Sequence, residues 1–199
     1  MRTTELLSVD LTTACNLKCA DCCCNIPNRK SKHYPWRYFT NLAKYVAGKV
    51  HRIHVIGGEP MAHPKFGQFI PKFKELFGCK SLTLSTNGYK AREYPAALAC
   101  FDQIYVTRFK NNGIDVDWLV ANYGAQECDG LAHVSRSHRG GGNPCFRGRA
   151  DAALYSDGRF FPCCVASGIS GGVSIAPCDD WQRAILDVPM PCGECMFSE

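Results

Sequence analysis

The chain has 199 residues, of which 46% are hydrophobic and 21% charged, and its net charge is +5. That balance excludes a disordered chain, and no run of 18 apolar residues offers a membrane span. Fourteen cysteines stand out, but the opening MRTTELLSVDLTTAC has no apolar signal region. A disulfide-stapled secreted protein therefore gives way to a reduced, cytoplasmic chain whose cysteines hold metal.

LLSVDL at 6–11 reads as a strand, and WRYFTNLAKYVAG at 36–48 as a helix ending at Gly48. RIHVIG at 52–57 is a second strand. PKFGQFIPKFKELFG at 64–78 has helical spacing, with a bend expected at Pro71. SLTLST at 81–86 is a third strand, and residues 90–100 are helical in composition. DQIYVTRF at 102–109 is a fourth strand, DVDWLVANY at 115–123 a short helix, and LAHVSR at 131–136 a fifth strand. Repeated β–α units predict an α/β fold with a parallel sheet. The length before residue 140 holds five or six units, so a TIM-like barrel here is incomplete.

RGGGNP at 139–144 is a hinge, which divides the chain into 1–138 and 139–199. Beyond it, residues 153–162 predict a β-hairpin turning at Asp157-Gly158, and Asp179 or Asp180 is placed to cap a short helix. Charge divides at the same place. Residues 1–135 carry +6, and 150–199 carry −5. Between them lie Arg136, Arg139, Arg147 and Arg149, with no acid among them. Planar guanidinium groups pair with phosphate or carboxylate, so this strip predicts a small or polymeric anionic substrate and also suits nucleic acid. A solvated linker is the alternative.

Cys15, Cys19 and Cys22 follow the first strand within eight residues. Three thiolates on one loop can hold an iron–sulfur cube and leave its fourth iron open; a zinc knuckle with a distant fourth ligand is the alternative. At the end of the second strand stands Gly57-Gly58-Glu59-Pro60, and at the end of the third Ser85-Thr86-Asn87-Gly88.

With these motifs in these places, the chain resembles the radical S-adenosylmethionine (SAM) superfamily, whose signature is CxxxCxxC after the first strand. The resemblance implies a SAM-binding 4Fe–4S cluster on Cys15, Cys19 and Cys22. It also implies that the stretch Gly57 to Pro60 meets the methionine amino group, and that Ser85 and Asn87 face SAM or substrate. Arg108 and Ser135, at the ends of strands four and five, become candidates for the SAM carboxylate and ribose. One position departs: the family often has an aromatic residue before the third cluster cysteine, and here Asp21 stands there. It either bonds the adenine amino group or faces water.

Cys145, Cys163, Cys192 and Cys195 flank the predicted hairpin and close the chain. Their order resembles the twitch form of the SPASM domain, which implies a second, auxiliary 4Fe–4S cluster; a zinc ribbon is the alternative. Cys164 or Cys178 is an alternative to Cys145. The remaining cysteines, Cys23, Cys24, Cys79, Cys100 and Cys128 with Cys164 and Cys178, are expected to be buried small apolar residues. Cys164 and Cys178 also have the position for a hydrogen-atom donor. The resemblance implies an enzyme that cleaves SAM to a 5′-deoxyadenosyl radical, with flavodoxin or ferredoxin as reducing partner. Oxidation of a carbinol leads the readings. Radical rearrangement, epimerisation and peptide modification stand behind it. Only 14 residues precede Cys15, which leaves no room there for a leader-binding module.

Overall fold

The computed structural model describes residues 4–19, 22, 24–109, 113–128, 152–162 and 174–185. Strand β1 (Thr4–Thr12) is an interior strand of the sheet, and Leu7, Val9 and Leu11 are fully buried on one of its faces. Helix α1 (Trp36–Val46) buries Phe39, Leu42, Ala43 and Val46, the i, i+3, i+4, i+7 stripe of an amphipathic helix. Strand β2 (Val50–Gly57) pairs parallel with β1.

The segment 64–78 is not one bent helix. Pro71 splits it into α2 (Phe66–Phe69), a 3₁₀ turn (Ile70–Lys72) and α3 (Phe73–Phe77). Proline supplies no N–H to a continuous helical ladder. Gly78, at φ +56, ends α3. Strand β3 (Ser81–Thr86) follows, then a 3₁₀ turn (Ala91–Glu93) and a single turn of helix, α4 (Pro95–Leu98). Strand β4 (Gln103–Thr107), helix α5 (Gly113–Tyr123) and strand β5 (Gln126–Cys128) complete the run. The fifth strand thus comes earlier than the hydrophobic run at 131–136 predicts, and that run lies outside the described residues.

Strands β1 to β5 are parallel, each beside its predecessor, so the strands wind in one direction as in a barrel wall. The strand order is β5-β4-β3-β2-β1-β6-β7. Strand β6 (Ala152–Ser156) lies parallel to β1, and β7 (Arg159–Phe161) pairs antiparallel with β6. Asp157 (φ +48) and Gly158 (φ +78) form the connection, both with the positive φ of a two-residue hairpin turn. Among the described residues the sheet is therefore a seven-stranded, mostly parallel partial barrel.

The described parts of 139–199 share the core of the first two thirds. Ala153, Tyr155, Phe160, Trp181 and Ile185 belong to the same buried cluster as Leu7 and Phe39. Trp181, in α6 (Trp181–Ala184), stacks on Phe160 at 4.4 Å with the rings 5° apart. Asp180 takes the N-cap position of α6, but its side chain makes no capping bond. Cys24, Cys79 and Cys128 are buried, whereas Cys100 and Cys178 are partly exposed.

A polar network joins β1 to the hairpin turn. Asp10 is fully buried on β1. Its Oδ2 accepts from Arg29 Nη1 at 3.3 Å and from the Ser156 hydroxyl, and its Oδ1 has no hydrogen-bond partner among the described residues. Arg29 Nη2 also reaches Ser156 at 2.7 Å and Asp157 Oδ2 at 2.9 Å, while the Tyr34 hydroxyl donates to Asp157 Oδ1 at 2.7 Å. Burial pushes the Asp10 carboxyl up to about 6 even though Arg29 pulls it down. Removing one partner from such a pair costs about 3–5 kcal/mol, because the other charge stays buried. Arg29→Ala is expected to lower unfolding free energy by that order in denaturant melts. Lys74→Ala, which breaks an exposed pair with Asp102, is expected to lower it by less than about 1 kcal/mol. Equal effects would contradict the assignment.

Candidate functional site

Parallel pairing brings the C-terminal ends of β1 to β4 to one edge of the sheet, and a cleft of about 180 Å³ opens there. Cys15, Cys19 and Cys22 line it after β1, and Gly57, Gly58 and Glu59 after β2. Ser85, Thr86 and Asn87 line it after β3, and Thr107 and Phe109 after β4. Motifs up to 72 residues apart in sequence thus share one cavity.

The two glycines fit because they lack Cβ atoms. Gly57 has φ +142, and a Cβ there would lie 2.2 Å from the Thr12 carbonyl oxygen. A Cβ on Gly58 would lie 2.2 Å from the Ala14 carbonyl oxygen. This close approach carries two backbone bonds: Gly58 N–H donates to Thr12 O and Glu59 N–H to Ala14 O, each at 2.8 Å. The end of β2 therefore fixes the chain immediately before Cys15. Thr12 and Thr13 fix the far side of the loop, donating through their hydroxyls to Lys32 O and Lys30 O at 2.8 Å. Asn87 Nδ2 donates to Asn16 Oδ1 at 3.0 Å, tying the loop to β3 as well. Beneath it, Cys24, Ile26, Leu154 and Phe161 form a small apolar cluster that Cys15, Cys22 and Ile56 pack against.

Glu59 is 1% exposed and joins two strand ends. Oε1 accepts from Met61 N–H at 3.1 Å and the Thr86 hydroxyl at 2.8 Å; Oε2 accepts from Asn87 N–H at 2.8 Å. Burial raises its carboxyl to about 7 against these bonds. The residue expected to meet an ammonium group thus also orders the wall of the cavity.

The donor set fits an iron–sulfur cluster. Burial, with Glu59, Cys19 and Cys22 nearby, pushes the Cys15 thiol up to about 11, so the thiolate would form on binding a metal centre, with release of a proton. Three thiols lining one cleft suit three corners of a cluster.

Arg108 does not reach the cavity. Its guanidinium makes a bidentate pair with Glu127 at 2.6 and 2.8 Å and reaches Asp117 at 2.6 Å. Thr107 and Phe109 on either side of it line the cleft, so Arg108 belongs to the other face. The structure thus pairs Arg108 with two acids and does not bring it among the cleft-lining residues. Pro60 opens a 3₁₀ turn (Pro60–Ala62) behind Glu59 and does not line the cleft. Ser135, the Arg136, Arg139, Arg147 and Arg149 strip, Asp21, Cys145, Cys163, Cys164, Cys192 and Cys195 lie outside the described residues.

The cavity also contains residues that motif reading misses: Ser8, Cys24, His54, Thr107 and Phe109. For Ser8 and His54 the signal is strand alternation. Ser8 lies between buried Leu7 and Val9, and His54 between buried Ile53 and Val55, so each points to the opposite face.

Gly58→Ala is expected to abolish iron incorporation during anaerobic reconstitution while the chain still folds. Wild-type iron content in that variant would contradict the close-approach argument. Glu59 adds a pH dependence. Its folded carboxyl keeps its proton from its ordinary 4.5 up to about 7, whereas the unfolded chain releases it. Its stabilising contribution is therefore full below that window and is lost as pH rises through it. Melts of apoprotein across this range should show the loss, and Glu59→Gln should flatten it.

Comparison with known proteins agrees with this geometry. The family model described as "Radical SAM superfamily" matches residues 9–110, just over half of the chain. A GTP 3′,8-cyclase of Nautilia profundicola is 25% identical over 107 residues, covering 49% of this chain and 32% of that protein. A GTP 3′,8-cyclase of Chlorobaculum tepidum is 28% identical over 88 residues, covering 44% and 27%. The chain thus spans about a third or less of the length of these curated relatives. Among solved structures, BtrN in complex with AdoMet and 2-DOIA superposes with a TM-score of 0.57 at 16% identity, covering 83% of this chain and 75% of that one. BtrN in an open conformation gives 0.58 at 16% identity, covering 82% and 71%. Streptococcus suis SuiB bound to S-adenosylmethionine gives 0.52 at 11% identity, covering 98% and 71%. These likenesses are of fold. Taken with the cysteine loop, the paired glycines and the matched segment, they lead to one conclusion: the chain belongs to the radical SAM superfamily.

Proposed function

We propose that the protein is a radical SAM enzyme that oxidises a carbinol, using a second, auxiliary 4Fe–4S cluster held in its C-terminal third. The observation that carries the reading is the single cavity shared by Cys15, Cys19, Cys22, Gly57, Gly58, Glu59, Ser85 and Asn87. The family implies SAM and one 4Fe–4S cluster, and the three cysteines would hold it. When bound, that pair supplies a 5′-deoxyadenosyl radical that takes a hydrogen atom from the substrate.

The chain's own residues orient and enclose. Gly57 and Gly58 line the cleft, and their backbone is the part of this stretch assigned to meet an ammonium group. Ile56, Phe109 and the Cys24–Phe161 cluster supply apolar walls that exclude water from a reactive intermediate. A net two-electron oxidation needs an acceptor for its second electron. Cys145, Cys163 and the Cys192/Cys195 pair, with Cys164 or Cys178 in place of Cys145 as the variant set, are assigned to the cluster that takes it.

No Lys or Arg is among the described lining residues. Recognition of a substrate anion is therefore assigned to Arg136, Arg139, Arg147 and Arg149, and the +6 charge of residues 1–135 suits an acidic electron donor of the flavodoxin or ferredoxin kind. No helix among the described residues is long and apolar enough to cross a membrane. A second reading, radical rearrangement of a nucleotide, is favoured by the two relatives named GTP 3′,8-cyclase.

Anaerobic reconstitution tests the assignment. About eight irons per chain are expected from two 4Fe–4S clusters. About four irons with zinc in the C-terminal cysteines would overturn the auxiliary cluster. A panel of carbinol-deuterated substrates, namely 2-DOIA, a hexosamine and GTP, then separates the readings. Deuterium in 5′-deoxyadenosine with a ketone product supports oxidation, and a product isomeric with the substrate supports rearrangement.

A further inference from the structure

On the cavity face of the sheet, two neighbouring strands place a hydroxyl, an imidazole and a second hydroxyl in line. His54, on β2, has Nδ1 at 2.7 Å from Thr83 Oγ1 and Nε2 at 2.8 Å from Ser85 Oγ, both on β3. The Tyr105 ring on β4 meets the imidazole edge-on at 5.9 Å, which holds its plane. Thr83 is 2% exposed, whereas His54 and Ser85 both line the cleft that holds the three cysteines.

A neutral imidazole donates through one nitrogen and accepts at the other. With the proton on Nδ1, His54 donates to Thr83 and accepts from Ser85, and the Ser85 oxygen is left as an acceptor for a ligand's O–H. With the proton on Nε2, the order reverses and the Ser85 hydroxyl becomes a donor. The chain can thus switch the wall contact from acceptor to donor. A carbinol needs the same switch, because its O–H donates and the carbonyl it becomes accepts.

We infer that Thr83, His54 and Ser85 form a proton relay that takes the hydroxyl proton of the substrate carbinol, Ser85 touching the substrate and His54 acting through it. The inference rests on the carbinol reading above. The step balances as follows. The carbon-bound hydrogen leaves as an atom to the 5′-deoxyadenosyl radical. The hydroxyl proton passes to Ser85 Oγ as the Ser85 proton passes to His54 Nε2. The remaining electron goes to a one-electron acceptor of the iron–sulfur class. The O–H bond breaks, the C–O bond becomes a carbonyl, and His54 ends as an imidazolium whose Nδ1–H donates to Thr83. Ser8, beyond His54 on the same cleft, adds a further hydroxyl to this polar wall.

Two measurements test the relay. The first is nitrogen-resolved NMR of the histidines in apoprotein, with His54→Gln as the assignment control. One protonated and one bare ring nitrogen on His54 at neutral pH is expected. Two protonated nitrogens would overturn the relay, because no acceptor would remain. The second compares 5′-deoxyadenosine with ketone in wild type, His54→Gln and Ser85→Ala on the same deuterated panel. Loss of a general base is expected to cut ketone about 10²-fold or more, while deuterium still enters 5′-deoxyadenosine, so that their ratio rises. A merely structural role would lower both together and overturn the inference, as would an unchanged ratio. Wild-type protein that forms 5′-deoxyadenosine but returns only isomers or unchanged carbinol would overturn the carbinol reading instead.

Discussion

Everything at this site depends on the approach of two backbone segments, Gly57–Gly58 at the end of β2 and Thr12–Ala14 at the end of β1. Carbonyl oxygens lie 2.2 Å from where Cβ atoms would stand, so the contact exists only because both residues are glycine. The two hydrogen bonds it allows set the height and direction of the chain entering Cys15. A loop of three cysteines has little regular structure of its own, and it takes its shape from the strand ends beneath it.

Two buried carboxylates extend that order in opposite directions. Glu59 draws β2 and β3 together through Met61, Thr86 and Asn87, and Asn87 in turn reaches Asn16 on the loop. Asp10 draws the outgoing limb, through Arg29, against the turn between β6 and β7. The hairpin is therefore coupled to the cysteine loop by charge and hydrogen bonding as well as by strand pairing to β1. Burial holds both carboxyls above their ordinary range, as expected of polar groups that trade hydration for a few directed bonds.

Sequence was most legible where chemistry and geometry coincide. The cysteine spacing and the GGEP stretch are readable because few residue types serve those purposes, and the cavity brings them together. Strand β3 is readable to the residue, since SLTLST is bounded by turn formers. The break at Pro71 is only partly readable, because proline announces a disturbance but tertiary packing decides between a bend and two short helices. The early fifth strand is missed because Gln126–Cys128 carries no apolar run; edge pairing to β4 creates it. The side Arg108 takes is not legible, because a strand end shows two faces and the acids it pairs with, at 117 and 127, lie further along the chain. His54 and Ser8 are hidden in apolar strands, where alternation, not motif, gives them away.

The central claim is that the cavity over the strand ends holds a cluster on Cys15, Cys19 and Cys22 with an iron open to SAM. Electron paramagnetic resonance of the reduced protein, with and without SAM, tests it most directly. The account predicts a signal that SAM perturbs in wild type and in a Cys192→Ala/Cys195→Ala variant, and that is lost in Cys15→Ala/Cys19→Ala/Cys22→Ala. A SAM-perturbed signal that survives removal of those three cysteines would contradict it.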